Sequence, residues 1–189
     1  LVTMMEAPRI LRDAPVAARQ HTQQPIVTGT TVLGLKYCDG VMLAADTLGS
    51  YGNLARFKDL KRLRTVGDHT VIGAGGEYSD FQHIMELLDS KTREDDCWED
   101  GCKIGPSEVH SYLTRVMYNR RNKFNPLWNS LVIAGKKKGK IYLGTVDLIG
   151  TAYEDNFVAT GFGNHFAIPL LRNKWAPDMT EAQARTLLE

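Results

Sequence analysis

The stretch from residue 29 to residue 46 constrains the fold most, because it has the pattern of two short apolar strands joined by a tight turn. Its first strand opens on Thr30, directly after a glycine, and its second strand ends on Asp46. Hairpin strands run in opposite directions, so we expect these two side chains at the same end of the sheet. A hydroxyl nucleophile beside a carboxylate is compatible with an N-terminal threonine hydrolase.

The rest of the chain alternates between strand and helix patterns. After a loop that starts near Gly49, the predicted elements are a second hairpin at 64–74, a helix capped by Ser79, an acidic loop at 93–105 and a helix from Pro106. They continue with strands at 129–135 and 141–147, a strand pair or strand edge within 151–160, a helix with Pro169 in its first turns, and a last helix opened by the capping box of Thr180 and Gln183. This order predicts an α+β fold, a four-layer αββα sandwich of two antiparallel sheets flanked by helices.

The overall charge gives little reason to expect a nucleic acid or a membrane as partner. The 189 residues carry a formal net charge of +1, and 43% of them are hydrophobic, as in ordinary globular domains. No apolar run approaches the roughly 20 residues that a membrane-spanning helix needs. The lysine run at 136–140 is interpreted as a solvated hairpin tip. We therefore predict neither nucleic-acid nor membrane binding.

The cysteines do not predict a metal centre. Cys38, Cys97 and Cys102 cannot all pair with one another, and no secretion signal precedes them, so reduced thiols are the simplest interpretation. Cys97 and Cys102 with His110 lack a fourth ligand at zinc-finger spacing. We predict no metal and no cofactor.

The two ends differ in character from the central region. Residues 1–28 show neither the helix nor the strand period, so we interpret residues 1–21 as a leader or propeptide and residues 22–29 as an extended arm. Residues 30–189 form the predicted domain. The sequence ends inside a helical pattern without a stop signal, which predicts that the C-terminal part of the domain is incomplete.

Several segments together resemble the proteasome β-subunit family. They are the hairpin at 29–46, the strand end Gly-Ala-Gly-Gly at 73–76 and the helix after it. Closer matches are Gly-Ser-Tyr-Gly at 49–52, Leu-Ala-Arg-Phe at 54–57, Asn-Pro-Leu-Trp-Asn at 125–129 and Ala-Thr-Gly-Phe-Gly at 159–163. The resemblance covers roughly residue 22 to the end, and these closer matches resemble a non-catalytic member of the family. It implies the fold of N-terminal nucleophile hydrolases.

The resemblance also implies which positions to test for catalysis. Active members use an N-terminal threonine whose own amine is the general base, an aspartate sixteen residues on, a lysine thirty-two residues on and a serine in a glycine-flanked turn. Thr30 and Asp46 match the first two positions, but Arg62 stands at the lysine position and Phe162 at the serine position. Arginine stays protonated and its planar fork is larger than an ammonium. The cluster is therefore interpreted as vestigial.

The segment before Thr30 bears on the same question. Residues 21–25 resemble the region where such subunits are processed, so we predict cleavage between His21 and Thr22. That cut leaves an eight-residue arm on Thr30, whose nitrogen is then an amide without a usable lone pair. The predicted function is a non-catalytic structural subunit of the 20S proteasome core.

Two alternatives remain at the level of sequence. One is an active threonine endopeptidase that uses Thr30 after autolysis at the Gly29–Thr30 bond, and the other is an unrelated αββα binding module. For the favoured function, the family resemblance implies other β subunits of the same heptameric ring, the opposing β ring and the adjacent α ring as partners. It also implies a location in the cytoplasm and nucleus.

Overall fold

The computed structural model describes residues 24–98 and 101–189. In these residues the chain forms eleven strands and four helices. The strands are β1 (Val27–Gly29), β2 (Val32–Tyr37), β3 (Gly40–Ala45), β4 (Gly49–Tyr51), β5 (Leu54–Phe57), β6 (Leu63–Val66), β7 (Thr70–Glu77), β8 (Asn129–Lys137), β9 (Lys140–Val146), β10 (Ala152–Glu154) and β11 (Phe157–Ala159). The helices are α1 (Tyr78–Cys97), α2 (Pro106–Asn122), α3 (Gly163–Lys174) and α4 (Glu181–Leu188).

Two antiparallel sheets form the centre of the molecule. The larger sheet has eight strands in the order β10-β9-β8-β7-β1-β4-β5, with β6 also paired to β7. The smaller sheet has three strands in the order β11-β2-β3. Every strand pairing in both sheets is antiparallel. The predicted α+β class with two antiparallel sheets is therefore confirmed.

Three hydrophobic clusters hold four layers together. The first joins α1 and α2 to one face of the large sheet and includes Ile84, Leu113 and Ile133. The second lies between the two sheets, where Val132 meets strands of the small sheet. The third packs α3 and α4 on the outer face of the small sheet, around Leu35. Alternate residues of one strand, such as 132 and 133, thus face different layers, which confirms the αββα arrangement.

The hairpin predicted at 29–46 forms, but its first strand begins at Val32 rather than at Thr30 and its second ends at Ala45 rather than at Asp46. Strands β2 and β3 pair from Val32 opposite Ala45 to Tyr37 opposite Gly40. Val32 packs between the sheets and Leu35 packs under α3 and α4, so the alternation along β2 places side chains on opposite faces. The first turn of α4 also follows the prediction, because Thr180 and Gln183 cap it reciprocally.

Two further local predictions were wrong. Residues 49–57 form a small hairpin rather than a loop, because Gly52 has a φ of 58° that favours glycine at a tight turn. Helix α1 continues to Cys97, and Glu77 rather than Ser79 is its N-cap. Pro169 is the seventh residue of α3 and lies within the first two turns, as predicted. The predicted cleavage site, His21 and Thr22, lies outside the described residues.

Among the described residues, none of the helices combines the length and apolarity needed to cross a membrane.

Candidate functional site

The arm before Thr30 forms part of the large sheet. Strand β1 lies between two other strands: Thr28 is opposite Glu77 of β7 and Ser50 of β4, and Gly29 is opposite Gly76. Thr30 follows this strand directly. The residue directly before Thr30 is thus fixed by sheet pairing.

Glu77 holds the arm at Ile26, the residue directly before β1. Its carboxylate accepts a hydrogen bond from the Ile26 backbone N–H, and its other oxygen accepts from the Ser79 hydroxyl at 2.9 Å. The residue is buried at the junction of β7 and α1. One side chain thus both caps a helix and holds the arm in place. Sequence reasoning missed Glu77, and its position directly after the glycine pair at 75–76 was the available signal.

Arg62 is the centre of the hydrogen-bond network at the end of the hairpin. It is only 2% exposed, and its guanidinium donates to the carbonyl oxygens of Thr30 at 2.6 Å and Thr31 at 2.9 Å. It also donates to the carbonyls of Ala74 at 3.2 Å and Asp46 at 3.3 Å, and to the Asp46 carboxylate. Arg62 therefore connects the two residues between the arm and β2, the residue that follows β3, and β7.

Asp46 is paired on both of its carboxylate oxygens. Oδ1 accepts from Arg62 and Oδ2 accepts from the Leu48 backbone N–H at 3.2 Å. Burial lowers the pKa of Arg62, while the neighbouring Asp46 carboxylate raises it, and arginine remains protonated at physiological pH. Both oxygens of the Asp46 carboxylate therefore already accept hydrogen bonds from fixed donors. Thr30 and Asp46 lie at the same end of the hairpin, as predicted, but this pairing does not activate a hydroxyl.

Two glycines allow the close approach of these segments. A Cβ atom at Gly29 would collide with the Arg62 side chain, with Cδ at 2.8 Å. A Cβ atom at Gly75 would lie 2.6 Å from the Thr30 carbonyl oxygen. Any larger residue at either position would force the arm or the guanidinium to move. The Gly-Thr and Gly-Gly motifs in the sequence are therefore packing requirements of this network.

The turn that precedes α3 has an aromatic residue where the resemblance expects a serine. Phe162 is 72% exposed and is the N-cap residue of the helix. The nearby hydroxyls are used structurally: Thr31 Oγ1 accepts from the Gly163 N–H at 3.1 Å, and Thr160 Oγ1 accepts from the Val32 N–H at 2.9 Å. These hydroxyls fasten the small sheet to α3 and are not arranged as a catalytic relay.

Thr30, Asp46 and Phe162 border one cleft of about 490 Å³. Asn129 also lines it, and its side-chain amide donates to the carbonyls of Gly75 at 3.0 Å and Glu77 at 2.8 Å. Of the described residues that line the cleft, Asp46 alone carries an ionisable side chain. The one carboxylate at the Thr30 hydroxyl's cleft is therefore already engaged by Arg62 and by the Leu48 N–H.

The structure does not bring the candidate metal ligands together. Across residues 24–98 and 101–189, no group of three or more histidine, cysteine, aspartate or glutamate side chains has the geometry to hold a metal ion. His110, which the sequence placed beside the two cysteines as a possible ligand, is buried against β9, and its Nε2 atom lies 3.1 Å from the Thr145 carbonyl oxygen.

Comparison with known proteins gives a consistent result. The family model described as "Proteasome subunit" matches residues 26–189. "Proteasome subunit beta type-4" of Arabidopsis thaliana is 54% identical over 170 residues, which cover 90% of this chain and 69% of the relative. The protein of the same name from Dictyostelium discoideum is 47% identical over 92% of this chain and 68% of the relative. "Probable proteasome subunit beta type-7" of Schizosaccharomyces pombe is 46% identical over 94% of this chain and 69% of the relative.

Proposed function

Because the chain belongs to the proteasome subunit family, we propose that it is a non-catalytic β subunit of the proteasome core. In this role it contributes to the architecture of a threonine-protease complex while other subunits carry out peptide hydrolysis. Its relatives are named beta type-4 and beta type-7, which supports a position among the β subunits.

The observation that carries this proposal is the pairing of β1, the strand that directly precedes Thr30, on both of its edges. In addition, the Ile26 N–H is bound by Glu77. A threonine hydrolase of this kind needs a free α-amine, whose pKa is about 8, to accept the hydroxyl proton. With the arm in place, Thr30 has no such group.

The neighbouring side chains support the same conclusion. An active site would need a lysine or another group that can exchange protons near the hydroxyl. Arg62 occupies that position, is permanently charged, and uses its donors on backbone carbonyls and on Asp46. The alternative function, an endopeptidase formed by autolysis at Gly29–Thr30, would cut the chain between β1 and Thr30 and would leave Arg62 at the lysine position. No observation in the structure favours it.

We propose that the chain is processed between His21 and Thr22, upstream of the described residues. The support is that the described part of the arm, from Gln24 onward, is anchored by Glu77 and then by sheet pairing. A cut upstream of this anchor leaves these contacts intact. A cut at Gly29–Thr30 would remove the middle strand between β4 and β7 from the chain.

Membership of the family implies assembly with other proteasome subunits. More specifically, we propose that the partners are β subunits of the same heptameric ring, subunits of the opposing β ring and subunits of the adjacent α ring. We further propose that the assembled particle resides in the cytoplasm and the nucleus. The proposed function requires no metal and no cofactor.

The proposal can be tested with the variant Thr30→Ala in the assembled particle. The Thr30 side chain is exposed, while its carbonyl, which the substitution retains, accepts from Arg62. We therefore expect normal incorporation and unchanged hydrolysis of fluorogenic peptides of all specificities. A threonine-to-alanine change in a catalytic β subunit of the same particle is the positive control. Loss of any one peptidase activity in Thr30→Ala particles would overturn the proposal.

A further inference from the structure

Two cysteines that the proposed function does not use flank the turn between α1 and α2. Cys97 is the last residue of α1, and Cys102 lies four residues before the start of α2. Both cysteines are exposed. Trp98, which follows the first of them, is 75% exposed. This end of the helix pair is therefore open to small reagents in the solvent.

Two interactions fold the connection back onto the end of α1. The Ile104 N–H donates to the Asp95 carboxylate at 2.9 Å, and the Lys103 ammonium group pairs with the Asp96 carboxylate. The paired positions are nested, 95 with 104 and 96 with 103. The next pair inward, 97 with 102, consists of the two cysteines. The contacts thus bring the two cysteines to facing positions, and a disulfide joins Cα atoms that are about 4.4–6.8 Å apart.

The returning segment is also fixed on its other side. Ile104 packs against the cluster that joins α1 and α2 to the large sheet, and the Lys103 carbonyl accepts a hydrogen bond from the Lys137 ammonium group. Gly101 has a φ of 72°, a left-handed conformation that favours glycine, directly before Cys102. Because the fold already holds both ends of the turn, joining them costs little further conformational entropy.

The charge around the two thiols favours one class of oxidant. Residues 94–100 contain five acidic residues. Glutathione and its disulfide are anionic at neutral pH, so carboxylates disfavour their approach, whereas hydrogen peroxide is uncharged. A second thiol on a short connection also competes with dissolved thiols, since its effective concentration is about millimolar or more. The site therefore fits oxidation by a hydroperoxide, with an internal disulfide as the product.

We propose that Cys97 and Cys102 are a reversible, peroxide-responsive thiol pair that closes the α1–α2 connection with a disulfide. The thiolate of one cysteine attacks an oxygen atom of hydrogen peroxide, the O–O bond breaks, hydroxide leaves, and a sulfenic acid forms. The second sulfur attacks the sulfenic sulfur, the S–O bond breaks, and hydroxide leaves as water with the thiol proton. Two thiols and one peroxide thus give one disulfide and two waters, and an external dithiol reverses the oxidation. The inference does not depend on the proposed function.

Peptide mapping of the full chain after treatment with hydrogen peroxide and glutathione tests the proposal. Trypsin cleaves after Arg93 and Lys103, so one peptide, residues 94–103, contains both cysteines. We expect this peptide to be two hydrogen atoms lighter, resistant to alkylation, and at least about tenfold more abundant than its glutathione adduct. Cys38 is the internal control, because its tryptic peptide has no second cysteine and should carry glutathione. A peptide 94–103 that is mainly alkylated or mainly glutathionylated would overturn the proposal.

The contribution of the fold is measured by the same treatment in urea. We expect the ratio of internal disulfide to glutathione adduct to fall about tenfold in the unfolded chain, where the nested contacts are lost. In the folded chain, Asp95→Ala removes the acceptor of the Ile104 N–H and should lower this ratio. The matched control Glu94→Ala removes the same charge from a residue that pairs with Lys91 inside α1, and should retain the ratio. Equal ratios in folded and unfolded chain, or in the two variants, would contradict the role of the nested contacts.

Discussion

Replacement of Arg62 by lysine is the most informative single perturbation, because it restores the residue type that the catalytic members of the family have. The guanidinium donates hydrogen bonds to five acceptor atoms: four backbone carbonyl oxygens and one carboxylate oxygen of Asp46. Lysine has three N–H donors and no planar fork. At least two of these acceptors therefore lose their donor in Arg62→Lys.

The expected loss of stability follows from this count. A buried acceptor that loses its partner costs about 1–3 kcal/mol, so two such acceptors give about 2–6 kcal/mol. Water replaces part of the loss, because the Asp46 side chain is 43% exposed. We therefore expect Arg62→Lys to lower the free energy of unfolding by about 2–4 kcal/mol. Arg62→Met, which also leaves Asp46 without its cation, should lower it by about 3–5 kcal/mol.

The measurement is urea denaturation of the purified chain, followed by fluorescence of its three tryptophans. Arg64→Lys is the matched control, since Arg64 is exposed two residues further along and should change stability by less than about 0.5 kcal/mol. The lysine variant should also remain unreactive toward threonine-directed inhibitors, because the Thr30 nitrogen is still joined to the arm by a peptide bond. A value for Arg62→Lys equal to that of the control would refute the network described here, and gain of reactivity would refute the role of the arm.

Two further predictions concern packing and pH. Gly29→Ala should destabilise the chain by about 2–3 kcal/mol, because the added methyl group collides with the Arg62 side chain; an unchanged urea midpoint would contradict the close approach. Burial acts to raise the pKa of Glu108, but hydrogen bonds from its own N–H and from the Gly105 N–H, with the charge of Lys137, outweigh it and lower the pKa. Its contribution to stability is therefore present above the unfolded-state pKa of about 4.3 and lost as pH falls through the lower folded-state pKa. Glu108→Gln should flatten the acid limb of the stability profile, and parallel profiles for variant and wild type would contradict this.

Local patterns predicted much of the fold. The hairpin at 29–46 and the buried faces of α1 and α2 follow from periodicity, which depends only on neighbouring residues. The hairpin of β4 and β5 could not be found in that way. All four residues of β5 are exposed, so it shows no alternation between apolar and polar faces. Its strands form because β4 pairs with β1, a contact between distant segments.

The candidate site was predictable in its residue types and not in its contacts. The family resemblance implied Asp46 and Arg62 as positions to test, and the structure places both at the end of the hairpin. The four carbonyls that Arg62 binds could not be inferred, because they depend on how β1, β7 and the hairpin converge. The same limit applies to Glu77, whose bond to the arm joins residues 51 positions apart.

The measurement that tests the central claim most directly is the intact mass of this subunit, released from assembled particles after treatment with a threonine-directed epoxyketone. The arm in the sheet and the carbonyl contacts of Arg62 predict the mass of a chain that begins upstream of Thr30, at Thr22 for the proposed cleavage site. We expect this chain to carry no inhibitor adduct. A chain that starts at Thr30 and carries the adduct would contradict the account.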